Sequence, residues 1–227
     1  MAGHSVIITG GFGVLGSAVA AAFAATGDRV ARVDFASSPS EPLDGALDIG
    51  GVDLTEQAAA ARVVTRVAEA FGSIDILINI AGGFVWQPLA EGGEDTWNRM
   101  FAMNAVTCVN MIRATLPQLT ASKRAHIVNI GALGARDAAA GMGPYAASKG
   151  AVHRLTESLA EELKGQDITI NAVLPSIIDT PANRRDMPQA NFAEWVQPAA
   201  IADVILFLAS PAARAISGAL IPVTRGG

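Results

Sequence analysis

The stretch that decides the fold is Thr9-Gly10-Gly11-Phe12-Gly13-Val14-Leu15-Gly16, near the start of the chain. It follows a β-branched, apolar segment (residues 5–9) and opens an Ala-rich segment (14–26) that Gly27 can end, so we predict a strand, a turn and a helix. Glycines at positions 10, 13 and 16 allow a tight turn, and they let N–H groups at the helix N-terminus approach a pyrophosphate. This strand–turn–helix context favours a dinucleotide site over a plain glycine connection.

Outward from this turn, strand-like and helix-like segments alternate along the chain. The predicted strands are 5–9, 29–34, a short strand within 46–54, 74–79, 125–130, 168–174 and 219–223. The predicted helices are 14–26, 55–71 with Thr55 as its N-cap, 95–119, 145–163 and 199–209. This alternation predicts an α/β fold, a doubly wound parallel sheet of about seven strands with helices on both faces. No repeat or linker divides the sequence, so we expect a single domain, residues 1–227.

The composition indicates a globular protein and excludes several function classes. Of the 227 residues, 51% are hydrophobic and 16% are charged, and the net charge is −5. A nucleic-acid partner requires a basic face, so we expect none. Cys108 is the only cysteine, and no metal-ligand spacing is present, so we predict neither a disulfide within the chain nor a metal site. No apolar run reaches membrane-spanning length, so we expect a cytoplasmic protein without a membrane partner.

An acidic residue at the end of the second predicted strand bears on the choice of dinucleotide. Asp34 comes 18 residues after Gly16, where a carboxylate is expected to accept hydrogen bonds from an adenosine ribose. The same charge repels a 2′-phosphate, so NAD(H) is favoured. NADP(H) stays open because Arg32 falls on the same strand face. The alternative is that Asp34 merely caps the strand end.

The only tyrosine is followed by a lysine at helical spacing. Tyr145 and Lys149 are four residues apart, so on a helix they share a face. A nearby ammonium favours the phenolate, and we therefore expect the pKa of Tyr145 to fall below its usual value of about 10. That change would make the phenol a usable general acid/base. By itself, such a pair also arises by chance on helix surfaces.

Together these motifs resemble the short-chain dehydrogenase/reductase family over nearly the whole chain. The glycine turn is similar to the family's, with glycine at position 13 where the classical spacing has it at Val14. The resemblance implies a Rossmann-type fold and catalysis by Tyr145, with Lys149 lowering its pKa and binding the nicotinamide ribose. It also implies that Asn104 holds a water that links Lys149 to solvent. The implied cofactor-binding residues are Gly10, Phe12, Gly13, Val14, Leu15, Gly16, Asp34, Asp53, Leu54, Ala81, Gly82, Tyr145, Lys149, Pro175, Ile178 and Thr180.

One position departs from the family pattern. The family's catalytic serine usually lies 13 residues before the tyrosine, and here that position is Ala132. Either another group replaces the missing hydroxyl or the substrate does not need it. The candidate replacements are Asn183, Thr180 and Arg184, and the alternative is that they are solvated loop residues. The implied oligomer is a homodimer or homotetramer formed through helices 95–119 and 145–163.

The substrate stays open at this stage. Residues 141–195 bear a narrower resemblance to the dihydropteridine reductase branch, which also lacks the serine. Phe84, Trp86 and Trp195 are candidates for a planar-substrate pocket, or else simple packing residues. The leading hypothesis is an NAD(P)(H)-dependent oxidoreductase acting on a small carbonyl, alcohol or conjugated substrate. The alternatives are an NADH-dependent dihydropteridine reductase and a non-catalytic dinucleotide sensor. His153 is expected to be structural.

Overall fold

Seven parallel strands form the centre of the fold in the computed structural model, which describes residues 3–225. The strands are β1 (Ser5–Thr9), β2 (Arg29–Val33), β3 (Leu47–Ile49), β4 (Ile76–Asn79), β5 (Ala125–Ile130), β6 (Ile168–Pro175) and β7 (Leu220–Val223). They pair in the order β3-β2-β1-β4-β5-β6-β7, and every neighbouring pair is parallel. The predicted doubly wound α/β sheet is confirmed. Four residues of the predicted domain 1–227, at its two ends, lie outside the described residues.

Helices cover both faces of the sheet. They are α1 (Val14–Ala25), α2 (Gln57–Phe71), α3 (Glu94–Phe101), α4 (Thr107–Ala121), α5 (Gly143–Glu162), α6 (Pro181–Asp186) and α7 (Pro198–Leu208). Helices α1 and α7 pack on one face around the buried Phe23 and Ile205. Helices α2, α4 and α5 pack on the other face around Val63, Met111 and Val152. Burial of both faces explains why β1, β4 and β5 have no exposed residue.

Three predicted boundaries differ from the structure. The predicted helix 95–119 is divided by a π-helical segment, Ala102–Val106, between α3 and α4. Thr55 does not cap α2: its own N–H and hydroxyl donate to Asp53 Oδ1, so the helix begins two residues later, at Gln57. In the segment predicted as a loop after β6, Thr180 accepts a hydrogen bond from Asn183 N–H and caps the short helix α6.

The strand order indicates the edge of the sheet at which a ligand would bind. The chain runs outward from β1 to β3 on one side and from β4 to β7 on the other, so a crevice opens beyond the carboxyl ends of β1 and β4. Residues that follow β1 to β6 lie at this edge. Within residues 3–225, no helix combines the length and apolarity needed to cross a membrane.

Candidate functional site

The glycine turn is packed tightly at two of its three spaced glycines. A Cβ on Gly16 would lie 2.1 Å from the Gly10 carbonyl oxygen, and a Cβ on Gly10 would lie 2.9 Å from Ala81 N. Gly10 also has φ +65°, a conformation that side chains disfavour. By contrast, a Cβ on Gly13 would meet only the Gly10 oxygen, at an ordinary 3.5 Å. The fold itself therefore requires glycine at positions 10 and 16 but not at position 13.

The turn presents the start of α1 to the crevice. Gly13 is the N-cap residue, with extended backbone, and no described side chain caps this end of the helix. The first-turn N–H groups of a helix have no partner within it, so they are suited to bind an anion. Thr9 Oγ1 accepts the N–H groups of Ile80 and Ala81, at 3.0 and 3.1 Å. This buried hydroxyl joins the ends of β1 and β4, and so fixes both walls of the crevice.

Asp34 lies where the second strand ends, beside the glycine turn. Its carboxylate accepts Phe12 N–H at 3.0 Å through Oδ2 and Ala36 N–H at 3.0 Å through Oδ1. These bonds use two of about four lone-pair sites, so the carboxylate keeps acceptor capacity for a ligand hydroxyl. Asp34 thus acts as the local cap that the sequence left as an alternative, and it stays half-buried at the crevice.

Arg32 is buried and forms an ion pair with Asp48. Its guanidinium is 2% exposed and donates to both carboxylate oxygens of Asp48, at 2.7 and 2.8 Å. It also lies 5.5 Å from the centre of the Phe12 ring. Alternation placed Arg32 near Asp34, but the spacing gave no sign of the partner on β3. The residue that argued for NADP(H) is therefore already bound to a carboxylate.

Of the two implied cofactor-binding residues after β3, one lies at the surface and one in the core. Asp53 is exposed, whereas Leu54 is 5% exposed. Asn110 on α4 donates its side-chain amide to the carbonyls of Leu54 and Thr55, at 3.0 and 2.9 Å. These bonds hold the Asp53–Leu54 backbone at the edge of the crevice. Asn110 was not singled out in the sequence, because its partners are about 55 residues away along the chain.

Tyr145 and Lys149 occupy the first turns of α5 beyond β5. Lys149 is 5% exposed, and its Nζ donates to the Ile130 carbonyl at 2.8 Å. Burial lowers the pKa of Lys149 to about 8 and raises that of Tyr145 to about 12. The expected lowering of the tyrosine pKa by Lys149 is therefore wrong for this structure, because the ammonium is directed to a main-chain oxygen and desolvation governs the phenol.

Asn104 lies buried in the π-helical segment and joins three parts of the site. Its Oδ1 accepts Gly83 N–H at 2.9 Å, and its Nδ2 donates to Gly83 O and to Ser148 Oγ, both at 3.0 Å. Ser148 in turn donates to the Tyr145 carbonyl at 2.7 Å. Both side-chain amide hydrogens are thus in use, so the water that Asn104 is expected to hold would have to bond to one of its oxygen atoms. A π-helical turn at such a position is typical of functional sites.

Gly82 lies against the side chains of Asn104 and Lys149. A Cβ there would lie 2.4 Å from Asn104 Oδ1 and 3.4 Å from Lys149 Nζ. Only glycine therefore fits without moving the asparagine. The structure thus places Gly82 next to Asn104 and Lys149, and their roles in catalysis and cofactor binding stay predictions.

The end of β5 is held by a histidine that the sequence did not assign to the site. Ala132 is 5% exposed, and its N–H donates to His153 Nε2 at 3.2 Å. A Cβ on Gly131 would lie 2.5 Å from the same nitrogen. His153 was expected to be structural. Its one-turn spacing from Lys149 was the only signal that it shares the site's face of the helix.

The polar side chains of the loop after β6 form hydrogen bonds within the loop. Asn183 donates to the Ile178 carbonyl, and Arg184 forms a bidentate pair with Asp179 at 2.6 and 2.7 Å. Ile178 also forms a β-bridge with Val196. The three candidates for the missing hydroxyl, including the helix cap Thr180, are therefore engaged locally. Pro175 ends β6, so Pro175, Ile178 and Thr180 lie at the carboxyl edge as predicted.

The three aromatic residues considered for a substrate pocket differ in their surroundings. The ring centroids of Phe84 and Tyr145 are 4.9 Å apart and nearly perpendicular, yet Phe84 is 55% exposed. Trp86 is 58% exposed, and its indole N–H donates to the Ala140 carbonyl at 3.0 Å. Trp195, in contrast, is 4% exposed and packs on Phe192, so it is a packing residue. Phe84 and Trp86 are thus both more than half exposed, although the Trp86 indole packs against Gly141.

Two further features bear on the chemistry of the described residues. Cys108 is buried, its Sγ lies 3.4 Å from Asn129 Oδ1, and burial raises its pKa to about 12, so it is no nucleophile. Among residues 3–225, no group of three or more His, Cys, Asp or Glu side chains could hold a metal ion.

Comparisons with known proteins identify the family of this chain. The model of the short chain dehydrogenase family matches residues 4–191. The chain is 32% identical to meso-2,3-butanediol dehydrogenase from Serratia marcescens, over 97% of this chain and 93% of that protein. It is 29% identical to 2,5-dichloro-2,5-cyclohexadiene-1,4-diol dehydrogenase from Sphingobium indicum, over 100% and 96%. The structure of 3-ketoacyl-(acyl-carrier-protein) reductase from Brucella melitensis, complexed with NADH, is similar with a TM-score of 0.87 at 26% identity, covering 98% of this chain and 97% of that one.

Proposed function

Because the chain belongs to the short-chain dehydrogenase family, we propose that it interconverts a small carbonyl or conjugated substrate and its reduced form with NAD(H), using Tyr145 as general acid/base. The chain matches dehydrogenases and reductases over nearly their whole length, and it is therefore an NAD(P)-dependent oxidoreductase. The observation that carries the finer proposal is the link from Asn104 through Ser148 to the Tyr145 carbonyl, beside Lys149 and Gly82. The active site and the dinucleotide site would lie in one domain.

The proton chemistry follows from burial. A phenol whose pKa burial raises to about 12 is protonated at physiological pH, so Tyr145 holds the proton that a substrate oxygen would take, although it is a weaker acid than a free phenol. Lys149, with a pKa of about 8, is still largely an ammonium near neutrality and favours negative charge nearby. Tyr145 is thus the proposed proton donor in reduction, and the charge of Lys149 would offset part of the cost that burial places on the phenolate. Asn104 acts as a positioning residue through the Gly82–Gly83 backbone.

The residues present fit a nicotinamide dinucleotide. The uncapped start of α1 would hold the pyrophosphate, because its N–H groups and dipole favour an anion. Position 13 has room for close approach, since its missing Cβ would touch only one atom. The Asp34 carboxylate would accept hydrogen bonds from the ribose hydroxyls. The Asp53–Leu54 backbone would flank the adenine. The bound dinucleotide would supply or take up the hydride, and the protein orients it.

The ion pair of Arg32 supports NAD(H) as the preferred form. A 2′-phosphate near Asp34 would meet a carboxylate, and the only cation on that strand face already serves Asp48. The preference is tested by the ratio of Kd values for NADH and NADPH. Tighter binding of NADPH would contradict it.

The experiment that tests the whole proposal is turnover. Purified protein would be mixed with NADH and a panel of ketones, quinones and quinonoid dihydropterin, while loss of NADH absorbance is followed. The proposal expects turnover with at least one class. NADH binding without turnover of any class would favour the sensor hypothesis instead.

A second candidate function is an NADH-dependent dihydropteridine reductase. The observation that favours it is the exposed Phe84 ring beside Tyr145, together with Ala132, which offers no hydroxyl to a substrate oxygen. A flat conjugated ring would stack on such a ring and would not require that hydroxyl. The Sphingobium relative, named for a cyclohexadiene diol, shows that a ring substrate is compatible with this family. A kcat/KM for quinonoid dihydropterin below that for simple ketones would reject this candidate.

We also propose that the protein assembles as a homodimer or homotetramer. One apolar surface is formed by Phe101, Ala105, Val106, Val109, Ala151 and Leu155, from α3 to α5. Phe101 is 51% exposed there, which is costly unless a partner covers it. Replacing Ala151 with Glu should reduce the mass measured by light scattering to that of one chain. A wild type of 23.3 kDa in solution would contradict the proposal.

A cytoplasmic location completes the proposal. The single thiol, Cys108, is buried and free, as expected in a reducing compartment. Cell fractionation with an antibody to the protein tests this location, and recovery outside the cytoplasmic fraction would reject it.

A further inference from the structure

Helix α5 contacts the end of β5 through two side chains on one face. Lys149 Nζ donates to the Ile130 carbonyl at 2.8 Å, and His153 Nε2 accepts the Ala132 N–H at 3.2 Å. The two side chains are one helical turn apart and are 5% and 3% exposed. A donor and an acceptor thus hold backbone groups on either side of Gly131.

The imidazole also fills the space over Gly131. A Cβ on Gly131 would lie 2.5 Å from His153 Nε2, 2.7 Å from its Cδ2 and 3.1 Å from Leu174 Cδ1. Contacts this short do not occur between real side chains, so residue 131 can carry a side chain only if the imidazole moves. Gly131 and His153 therefore form a matched pair.

The hydrogen bond to Ala132 requires a neutral imidazole, because a protonated Nε2 has no lone pair to offer. The charged groups that act on the ring are Lys149 and Arg154 on α5 and Arg136 in the segment before it. All three are cations and oppose protonation, as burial does. The pKa of His153 is accordingly lowered to about 4. Near neutral pH the ring therefore stays neutral, with its proton on Nδ1 and its Nε2 free to accept.

We propose that His153 is a positioning residue of the active site: packed on Gly131, it fixes the Ala132 backbone and thereby the Ile130 carbonyl that anchors Lys149. This role rests on the proposed function, because Lys149 matters through the proton transfer at Tyr145. If the β5 end shifts, the ammonium moves relative to the phenol, and a displacement of about 1 Å at such a site can cost about 100-fold in rate.

The decisive variants are His153→Leu, which removes the acceptor, and His153→Gln, which keeps one near the Nε2 position. His126→Leu is the matched control, because His126 is also buried, also has a pKa of about 4, and bonds Thr169 at the opposite end of β5. For His153→Leu we expect kcat to fall at least about tenfold and its pH profile to shift, with KM for NADH nearly unchanged. His153→Gln should recover most of kcat and the wild-type profile. If His153→Leu matches either the wild type or His126→Leu in pH profile, the proposal is overturned.

A measurement that does not depend on turnover separates the role of His153 from the proposed function. Nitrogen-15 spectra of the imidazole should show the Nδ1–H tautomer at pH 7, and the Ala132 amide should exchange slowly in wild type and in His153→Gln but rapidly in His153→Leu. An Nε2–H tautomer, or equal exchange in all three proteins, would reject the role of His153. A wild type without turnover but with these spectra would reject only the proposed function.

Discussion

At the scale of the residue, burial sets the chemistry of the site. Tyr145 and Lys149 are both withdrawn from water, and each is pushed toward its neutral form. The phenol therefore keeps its proton and the lysine begins to lose its proton near pH 8. Because reduction needs the protonated phenol and the charged lysine together, we expect the reductive kcat to fall as the pH rises through about 8.

Removing the phenolic hydroxyl tests the central role directly. For Tyr145→Phe we expect kcat to fall by about 10²–10⁴, the usual contribution of general acid catalysis. The Kd for NADH should change little, because the ring and its contact with Phe84 remain. Steady-state kinetics and fluorescence titration measure the two quantities. Activity within about tenfold of wild type would exclude Tyr145 as the acid/base.

The glycine turn offers a matched pair of substitutions. Gly16→Ala places a Cβ 2.1 Å from the Gly10 oxygen, so we expect a loss of about 1–3 kcal/mol in unfolding free energy. Gly13→Ala meets only an ordinary 3.5 Å contact, so stability should hold while NADH binding weakens. Urea unfolding and NADH titration separate the two effects. Unchanged NADH affinity in Gly13→Ala would show that no ligand approaches this position closely.

At the scale of the element, cofactor choice depends on an ion pair between two strands. Arg32 on β2 is bound by Asp48 on β3, and their register places the two residues side by side. Short strands at the edge of a sheet contribute few ladder bonds, so the side-chain pair helps to hold β3. The same pair keeps a guanidinium from any phosphate near Asp34.

Asp48→Ala tests this link between architecture and specificity. It leaves Arg32 buried without its partner, and we expect a loss of about 2–3 kcal/mol, less than for a fully buried pair because Asp48 is 31% exposed. NADPH affinity should rise relative to NADH affinity, since the guanidinium is released. Asp44→Ala is the control, because Asp44 is exposed on the same segment. Equal NADPH-to-NADH ratios in both variants would contradict the prediction.

At the scale of the whole molecule, two buried histidines link folding to pH. The pKa values of His126 and His153 lie near 4 in the fold, below the ordinary 6.5. The unfolded chain thus binds protons between pH 6.5 and about 4 that the native state does not, so stability falls as the pH drops through this window.

The loss should approach about 3 kcal/mol per histidine and level off below pH 4, and His126→Leu should remove roughly half of it. Unfolding free energies measured by urea titration across pH 4–7 test this. A wild type whose stability rises on acidification would show that the sign is wrong.

The sequence by itself determined the layered fold and most of the crevice. The alternation of apolar strands and helices and the spacing of Gly10, Gly16 and Asp34 are local signals, and chain topology then carries such residues to one sheet edge. The spacing of Tyr145 and Lys149 likewise placed them on one face.

Only the tertiary structure decided what depends on contacts between distant segments. These include the Asp48 partner of Arg32, the π-helical placement of Asn104, the direction of Lys149 Nζ and the bond from His153 to Ala132. Desolvation, which reversed the expected pKa of Tyr145, is also a property of the packed molecule. A pKa and a buried hydrogen bond depend on which atoms surround a group in space, and residue spacing along the chain does not determine that.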